Sequence, residues 1–252
     1  MTENGAKQPK YRRIAEELKA AIDAGQYAPG DRLPGENDLM ETYGVARMTA
    51  RQALGVLQSE GLAEARKGAG VFLRDFRPLR RRGIPRLAES QWGAGKSIWA
   101  ADVGNRSLEV DHVDVAEASA RADIATALDI EPGQAVCVRH RRFLLDGKPI
   151  LLSTSHFPAA LVTGTRITEA DTGPGGSYAR LAEIGAKPVR FREEIRSRMP
   201  NAEEAAALEL AAGTPVVLVC RTAYAEDGRA VELNEMVLDA GAYVLEYEFE
   251  AC

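Results

Sequence analysis

An internal repeat in the C-terminal half narrows the possible folds more than any other feature of the chain. LDIEPGQAVCVRHRRFLLDGKPILL begins at residue 128 and LELAAGTPVVLVCRTAYAEDGRAVEL at residue 208. Gly133 pairs with Gly213 and Arg141 with Arg221 at a constant offset of 80 residues, after which one inserted residue sets Asp146-Gly147 opposite Asp227-Gly228. Each copy reads as a helix, a turn, a long strand, an Asp-Gly hairpin and a second strand, because Asp-Gly tolerates the left-handed backbone of a two-residue hairpin. Neither copy has enough helix to cover a sheet alone. The two are expected to merge into one antiparallel sheet with helices on one face, an α+β domain.

The N-terminal segment follows a different period. In YRRIAEELKAAIDAG, residues Tyr11, Ile14, Ala15, Leu18, Ala21 and Ile22 keep helical spacing, and Gly25 stands where a helix stops. The next stretch turns at Pro29-Gly30 and Pro34-Gly35, then offers a short helix with Leu39, Met40 and Tyr43 inward, closed by Gly44. In VARMTARQAL, residues 45–54, a third helix begins near Arg47 and runs to about Glu60. Its spacing sets Ala50, Ala53, Leu54 and Leu57 on one stripe, with Met48, Arg51 and Gln52 opposite. Two helices separated only by Gly44, Val45 and Ala46 make a helix-turn-helix. GLAEARKGAGVFLRD then reads as a hairpin around Gly68-Ala69-Gly70, a wing with Arg66 and Lys67 at its tip.

That outward helix face has a specific use. The DNA major groove admits one α-helix and presents guanine O6 and N7 to a bidentate guanidinium, which makes Arg47 and Arg51, one turn apart, the candidate base readers. Thr49 and Gln52 suit phosphate or adenine. Gly55, on the same face, either permits close backbone approach or sits there by chance. Arg66 or Lys67 either enters the minor groove or caps a solvated turn. The overall net charge of -5 hides an asymmetry: residues 1–82 carry +4 and the remainder -9. The basic part is only mildly so, and position must carry the argument. No signal pattern and no apolar run near the ~20 residues of a membrane span is present, so a cytoplasmic protein without a membrane partner is expected. Cys137, Cys220 and Cys252 form no CxxC pair, which indicates neither a disulfide framework nor a zinc site; no metal or cofactor is expected.

LPGENDL, VARMTARQAL and KGAGVFL, in that order between Tyr11 and Leu73, resemble the winged helix-turn-helix of the GntR family of bacterial transcription regulators. The family pattern reads roughly LPSE, VSR-x-T-V-R-x-AL and G-x-GTFV. The resemblance implies a DNA-binding domain over residues 8–76, with Arg47, Thr49 and Arg51 on operator DNA and Gly68 at the wing tip beside Lys67. Ala46 replaces the usual Ser or Thr, which removes an N-cap worth ~1 kcal/mol. Asn37 stands where a base-contacting Arg or Lys is common, so operator preference is expected to differ. RPLRRRGIPRLAESQWGAG lacks apolar periodicity and reads as a linker over 77–95, in which Arg80, Arg81 and Arg82 either add phosphate contacts or ride on a solvated hinge.

DTGPGGSYARLAEIGAKP, between the repeats, is a glycine-rich loop entering a helix through Ser177 and Tyr178, where free N–H groups suit an anion. It has no GK[ST], so nucleotide hydrolysis is not suggested. Arg141, on a neighbouring strand, either holds the anion from a second side or forms a structural ion pair. RxxxxDGKPILLSTSHFP, SYARLAEIG and DGRAVELNEMVLDA resemble the UTRA effector-binding domain of the HutC subfamily, over a domain of 96–250. This implies a fold similar to chorismate lyase and a small-molecule pocket. Arg141, Ser177 and Glu232 stand at matching positions, and Thr154, His156 and Tyr178 are candidates from the same motifs. Members that bind amino-sugar phosphates carry Arg, Glu and Tyr where this chain has Phe143, Ser153 and Leu238, so a less polar acid or a natural product fits better. A lyase is the rival class, but His112, His140 and His156 belong to no HExxH or nucleophile motif, and no catalytic residue is assigned. The expected protein is a homodimeric regulator of double-stranded operator DNA, a repressor released by an anionic small molecule. The alternative is a dimeric repressor that needs no ligand.

Overall fold

Apolar stripes at helical spacing build the N-terminal part of the computed structural model, which describes residues 8–66, 68–74 and 78–250. Lys67, expected at the wing tip, and Cys252 lie outside the described residues. The chain divides into two compact units, residues 1–77 with 210–214 and residues 78–209 with 215–252. In the first, α1 (Lys10–Asp23) buries Ile14, Ala15 and Leu18. The amide of Gly35 donates to Asp38 Oδ2 at 2.8 Å at the start of α2 (Glu36–Tyr43). Gly44, left-handed at φ 57°, ends it. α3 (Arg47–Ser59) buries Ala50, Ala53, Leu54 and Leu57, the stripe expected from spacing, and its N-cap Ala46 makes no side-chain cap. β1 (Ala63–Arg66) and β2 (Gly70–Leu73) pair antiparallel with Arg66 opposite Gly70. Gly68 at φ 76° turns the chain between them.

The second unit opens inside the stretch expected to be a linker. β3 (Leu79–Arg82), a 3-10 turn at Pro85–Leu87 and α4 (Glu89–Trp92) occupy it. The chain continues through β4 (Leu108–Ser119), α5 (Ala122–Leu128), β5 (Ala135–Leu145), β6 (Lys148–Pro158), α6 (Ala159–Val162) and α7 (Gly176–Glu183). It finishes with β7 (Pro188–Arg198), α8 (Ala202–Ala207), β8 (Val216–Ala225), β9 (Ala230–Asp239) and β10 (Tyr243–Glu246). β3 pairs in parallel with β10, so residues 79–82 are sheet and not hinge. The sequence hid this strand because its inward positions are Leu79 and Arg81, while Arg80 and Arg82 point out. A strand whose second core residue is arginine shows no apolar alternation. Arg81 is 1% exposed, which rules it out as a solvated or phosphate-contacting residue in this structure.

Six strands form one antiparallel sheet in the order β4-β5-β6-β9-β8-β7. β6 and β9 meet at its centre, and the two halves mirror each other as strand, helix and hairpin: β4-α5-β5-β6 and β7-α8-β8-β9. The repeated module therefore contains an edge strand beyond the segment in which the repeat is legible. Leu108 and Pro188, the starts of those edges, keep the same offset of 80, although LEVDHVDVAEAS and PVRFREEIRSR share no pattern. Asp146 and Gly147 both have positive φ, 51° and 77°, as a two-residue hairpin requires. Helices lie on both faces, correcting the one-face expectation. Ile124, Ala125 and Leu128 of α5 pack with Val136 and Val138. Tyr178 and Leu181 of α7 pack with Cys137 and Phe157, the alternate strand positions. Among the described residues no helix is long and apolar enough to cross a membrane.

Gly55 is helical, and a Cβ there would meet no atom within 4 Å. Gly55→Ala should therefore raise the stability of the first unit by about 0.5–1 kcal/mol, read as a higher urea midpoint. An unchanged or lower midpoint would mean the folded chain needs the glycine.

Candidate nucleic-acid interface and effector cavity

The outward face of α3 carries Arg47, Met48, Arg51 and Gln52 exposed, with Thr49 half-buried one step round the helix. Both arginine side chains are 61% exposed, yet neither is loose. Arg51 Nε donates to Glu36 Oε1 at 2.7 Å and its Nη2 to Oε2 at 3.3 Å. Arg47 Nη2 donates to Asn37 Oδ1 at 3.1 Å, and its Nε lies 3.7 Å from Glu36 Oε2. The hydrogen bond from Arg51 holds the Glu36 carboxyl below its usual range. Asn37, the departure from the family pattern, thus touches a candidate base reader directly. Glu36 was not among the residues singled out by sequence. The signal was its place at the first position of α2, which the tight turn sets against the start of α3. In the wing, Arg66 lies over the Phe72 ring at 4.3 Å and donates to Glu64 at 3.0 Å. Gly68 sits in the turn beside it.

In the second unit the pleat decides which candidates meet. Register pairs Arg141 with Ser153 and Arg139 with Ser155 across β5 and β6, and Arg221 with Asn234 across β8 and β9. These side chains share one face, which α7 and its loop cover. Arg139, Arg141, Ser177, Tyr178, Arg221 and Glu232 line a cavity of about 460 Å³, within the ~300–1,000 Å³ typical of small-molecule sites. Thr154 and His156 do not join them. They occupy the alternate positions of β6, so the two-residue period turns them to the opposite face. There Thr154 bonds His140 Nδ1 at 2.9 Å and His156 Nε2 bonds Glu235 at 3.0 Å.

Arg141 has no ion-pair partner among the described residues; its Nη2 donates to Ser155 Oγ at 2.7 Å and Ser153 Oγ at 3.3 Å. Arg139 donates to the carbonyls of Ile167, Glu169 and Ala170 and so pins the loop before α7. Tyr178 donates to Glu232 Oε2 at 2.8 Å, and burial pushes its phenol well above the ordinary value, keeping it a donor. Trp99 covers the arginines, 5.3 Å from Arg141 and 5.7 Å from Arg221, and stacks on Phe143 at 4.7 Å. Gly175 at φ 79° lets the loop pass Trp92, whose carbonyl oxygen would lie 2.5 Å from an added Cβ.

The charge is unbalanced. Arg81, Arg86, Arg139, Arg141 and Arg221 stand in or beside this cavity against the carboxylates of Asp102, Glu193, Glu232 and Asp171, the last of which is paired with Arg166. Burial pushes the Arg141 guanidinium down to about 10 and Arg86 down to about 9, both still protonated at neutral pH. Arg139 Nε, Arg141 Nε, Arg221 Nε and Nη1, and Ser177 Oγ are buried without hydrogen-bond partners among the described residues. Desolvated donors with excess positive charge are what an anion satisfies. Sequence reasoning missed Arg139, Arg221 and Trp99. The repeat had already matched Arg221 to Arg141, and strand parity would have added Arg139.

Residues 10–73 match the bacterial regulatory proteins of the gntR family, and residues 104–243 match the UTRA domain. An HTH-type transcriptional regulator of Streptomyces coelicolor is 34% identical, covering 97% of this chain and 94% of its own. The HTH-type transcriptional repressor NagR of Bacillus subtilis is 27% identical over 93% of this chain and 92% of its own. Of solved structures, a GntR-family transcriptional regulator matches with a TM-score of 0.66 at 30% identity, over 97% of this chain and 99% of that one. PhnF from Mycobacterium smegmatis matches at 0.55 with 26% identity, over 95% and 100%. The chain belongs to the GntR family of bacterial transcriptional regulators, with a helix-turn-helix unit followed by a UTRA domain.

Proposed function

We propose that this protein is a homodimeric repressor of the HutC type that reads a pseudo-palindromic operator through Arg47, Arg51, Gln52 and Thr49, with Asn37, Gly68 and Lys67 flanking. A small anionic effector in the UTRA cavity releases it. One observation supports the effector reading above the others: Arg139, Arg141, Arg221 and Ser177 line one cavity, and each keeps a buried polar atom without a hydrogen-bond partner among the described residues. Arg141, Ser177 and Arg221 are the proposed anion contacts, and Tyr178 with Glu232 the proposed contacts for a polar group beyond it. Part of the lining is apolar. Ile98, Trp99, Leu108, Val110, Val113 and Phe143 border the same cavity, which favours an acid with a hydrocarbon body over a sugar phosphate. Effector binding changes DNA affinity only if free and DNA-bound protein hold the effector unequally.

Operator sites selected from random duplexes test the reading head. Arg51→Ala should lose about 1–3 kcal/mol on the selected site and relax base choice there; an unchanged gel shift would refute the assignment. Glu36→Gln should bind all duplexes more tightly, with a salt slope steeper by about one, because Arg51 is freed from its carboxylate; weaker binding everywhere would contradict this. For the cavity, Arg141→Ala should bind operator normally and no longer respond to any acid of a metabolite panel that releases the parent protein. A panel in which no acid shifts the thermal midpoint or releases DNA would favour a repressor that needs no ligand.

A further inference from the structure

Arg221 belongs to two environments at once. On the cavity side its guanidinium lies between Trp99, at 5.7 Å, and Tyr178, at 5.6 Å. Its Nε and Nη1 have no hydrogen-bond partner among the described residues. On the other side β7 and β8 pair Arg221 with Glu193, whose Oε1 is 4.0 Å from Nη1, too far for a hydrogen bond. Glu193 is already taken. Arg81 clasps it with both terminal nitrogens, Nη1 at 3.0 Å from Oε2 and Nη2 against Oε1, and Tyr247 donates to Oε2 at 2.7 Å. The Arg81, Glu193 and Arg221 side chains are 2%, 8% and 1% exposed. One buried carboxylate therefore serves two buried guanidinium groups. Arg81 sits on β3, four residues long and paired among the described strands with β10 alone, and β3 is the first strand after the DNA-binding segment.

We propose that Glu193 is the positioning residue that couples the cavity to β3: an anion accepting from Arg221 cancels its charge, removes its repulsion of Arg81 across Glu193, and so holds β3 more firmly on β10. This rests on the reading of the cavity as the effector site and adds the route by which occupancy reaches the segment leading to the reading head. Without the anion, Arg221 repels Arg81 across a shared carboxylate and β3 is held less firmly. With it, two balanced pairs replace three unbalanced charges. Linkage makes the effect reciprocal, so a chain with a firmly held β3 binds anions more tightly.

The test uses the full-length protein and inorganic phosphate, titrated against chloride at constant ionic strength. Tryptophan emission reports occupancy, since Trp99 lies against both Arg141 and Arg221. Amide hydrogen exchange in residues 78–83 and 243–247 reports β3. Phosphate should change the emission and slow exchange in both strands by about fivefold or more. Glu193→Gln alone leaves two buried arginines unpaired and risks a folding defect. The charge-neutral double variant Arg81→Gln/Glu193→Gln removes one charge of each sign and leaves only Arg221 unpaired, and circular dichroism checks its fold; it should keep the emission response and lose the exchange effect. Emission that responds while β3 exchange does not, or an exchange effect that persists in the double variant, overturns the coupling and leaves the cavity reading intact. An emission that ignores phosphate overturns both.

Discussion

The pleat of one six-stranded sheet is the constraint on which the C-terminal unit depends. Because side chains alternate, Arg139 and Arg141 on β5 must face the same way, and the central pairing of β6 with β9 carries that facing across to Glu232 on β9 and Arg221 on β8. Burying several guanidinium groups on one face is costly unless acids or ligands meet them. Here Glu193, Glu232, Asp102 and Asp171 meet some of the demand, and several guanidinium N–H groups stay without partners among the described residues. Ser177, in the first turn of α7, lines the same cavity, and Arg139 holds carbonyls of the chain that leads into that helix. Fold and site are thus one arrangement: the strands that make the core also collect the charge.

The N-terminal unit solves a different problem. A reading helix must be rigid on one side and available on the other, and the small residues Ala50 and Ala53 let α3 lie close against α1 while Arg47 and Arg51 stay exposed. Long exposed side chains lose rotamer freedom when they bind. The Glu36 carboxylate and the Asn37 amide restrict both arginines beforehand, so part of that ordering is already present in the free protein. Pairing with an acid also means that phosphate or base contacts must compete with Glu36, which favours sites offering bidentate acceptors over bare backbone.

Much of this was legible in the sequence where the physics is periodic. The stripes of α1 and α3, the stop at Gly44 and the Asp-Gly hairpins all follow from spacing and backbone conformation, and the three motifs in order carried the family. Legibility failed where a charge replaced an apolar residue or where parity was not tracked. β3 looks like linker in the sequence because Arg81 fills a core position that its distant partners Glu193 and Tyr247 make tolerable. The edge strands β4 and β7 repeat in structure without repeating in sequence, since most of their positions are exposed and no apolar alternation is required of them. Thr154 and His156 were set in the cavity by motif proximity, although they alternate with the residues that face it. Arg221 lay in plain view as the repeat partner of Arg141.

The central claim is that buried arginines and Ser177 form an anion site. Its most direct test is a crystal of the full chain soaked in selenate, with anomalous scattering used to locate the ion. The account predicts a peak within hydrogen-bonding reach of Arg141, Arg221 and Ser177, lost in Arg141→Ala. A cavity without such a peak, with Arg221 instead hydrogen-bonded to Glu193, would contradict it.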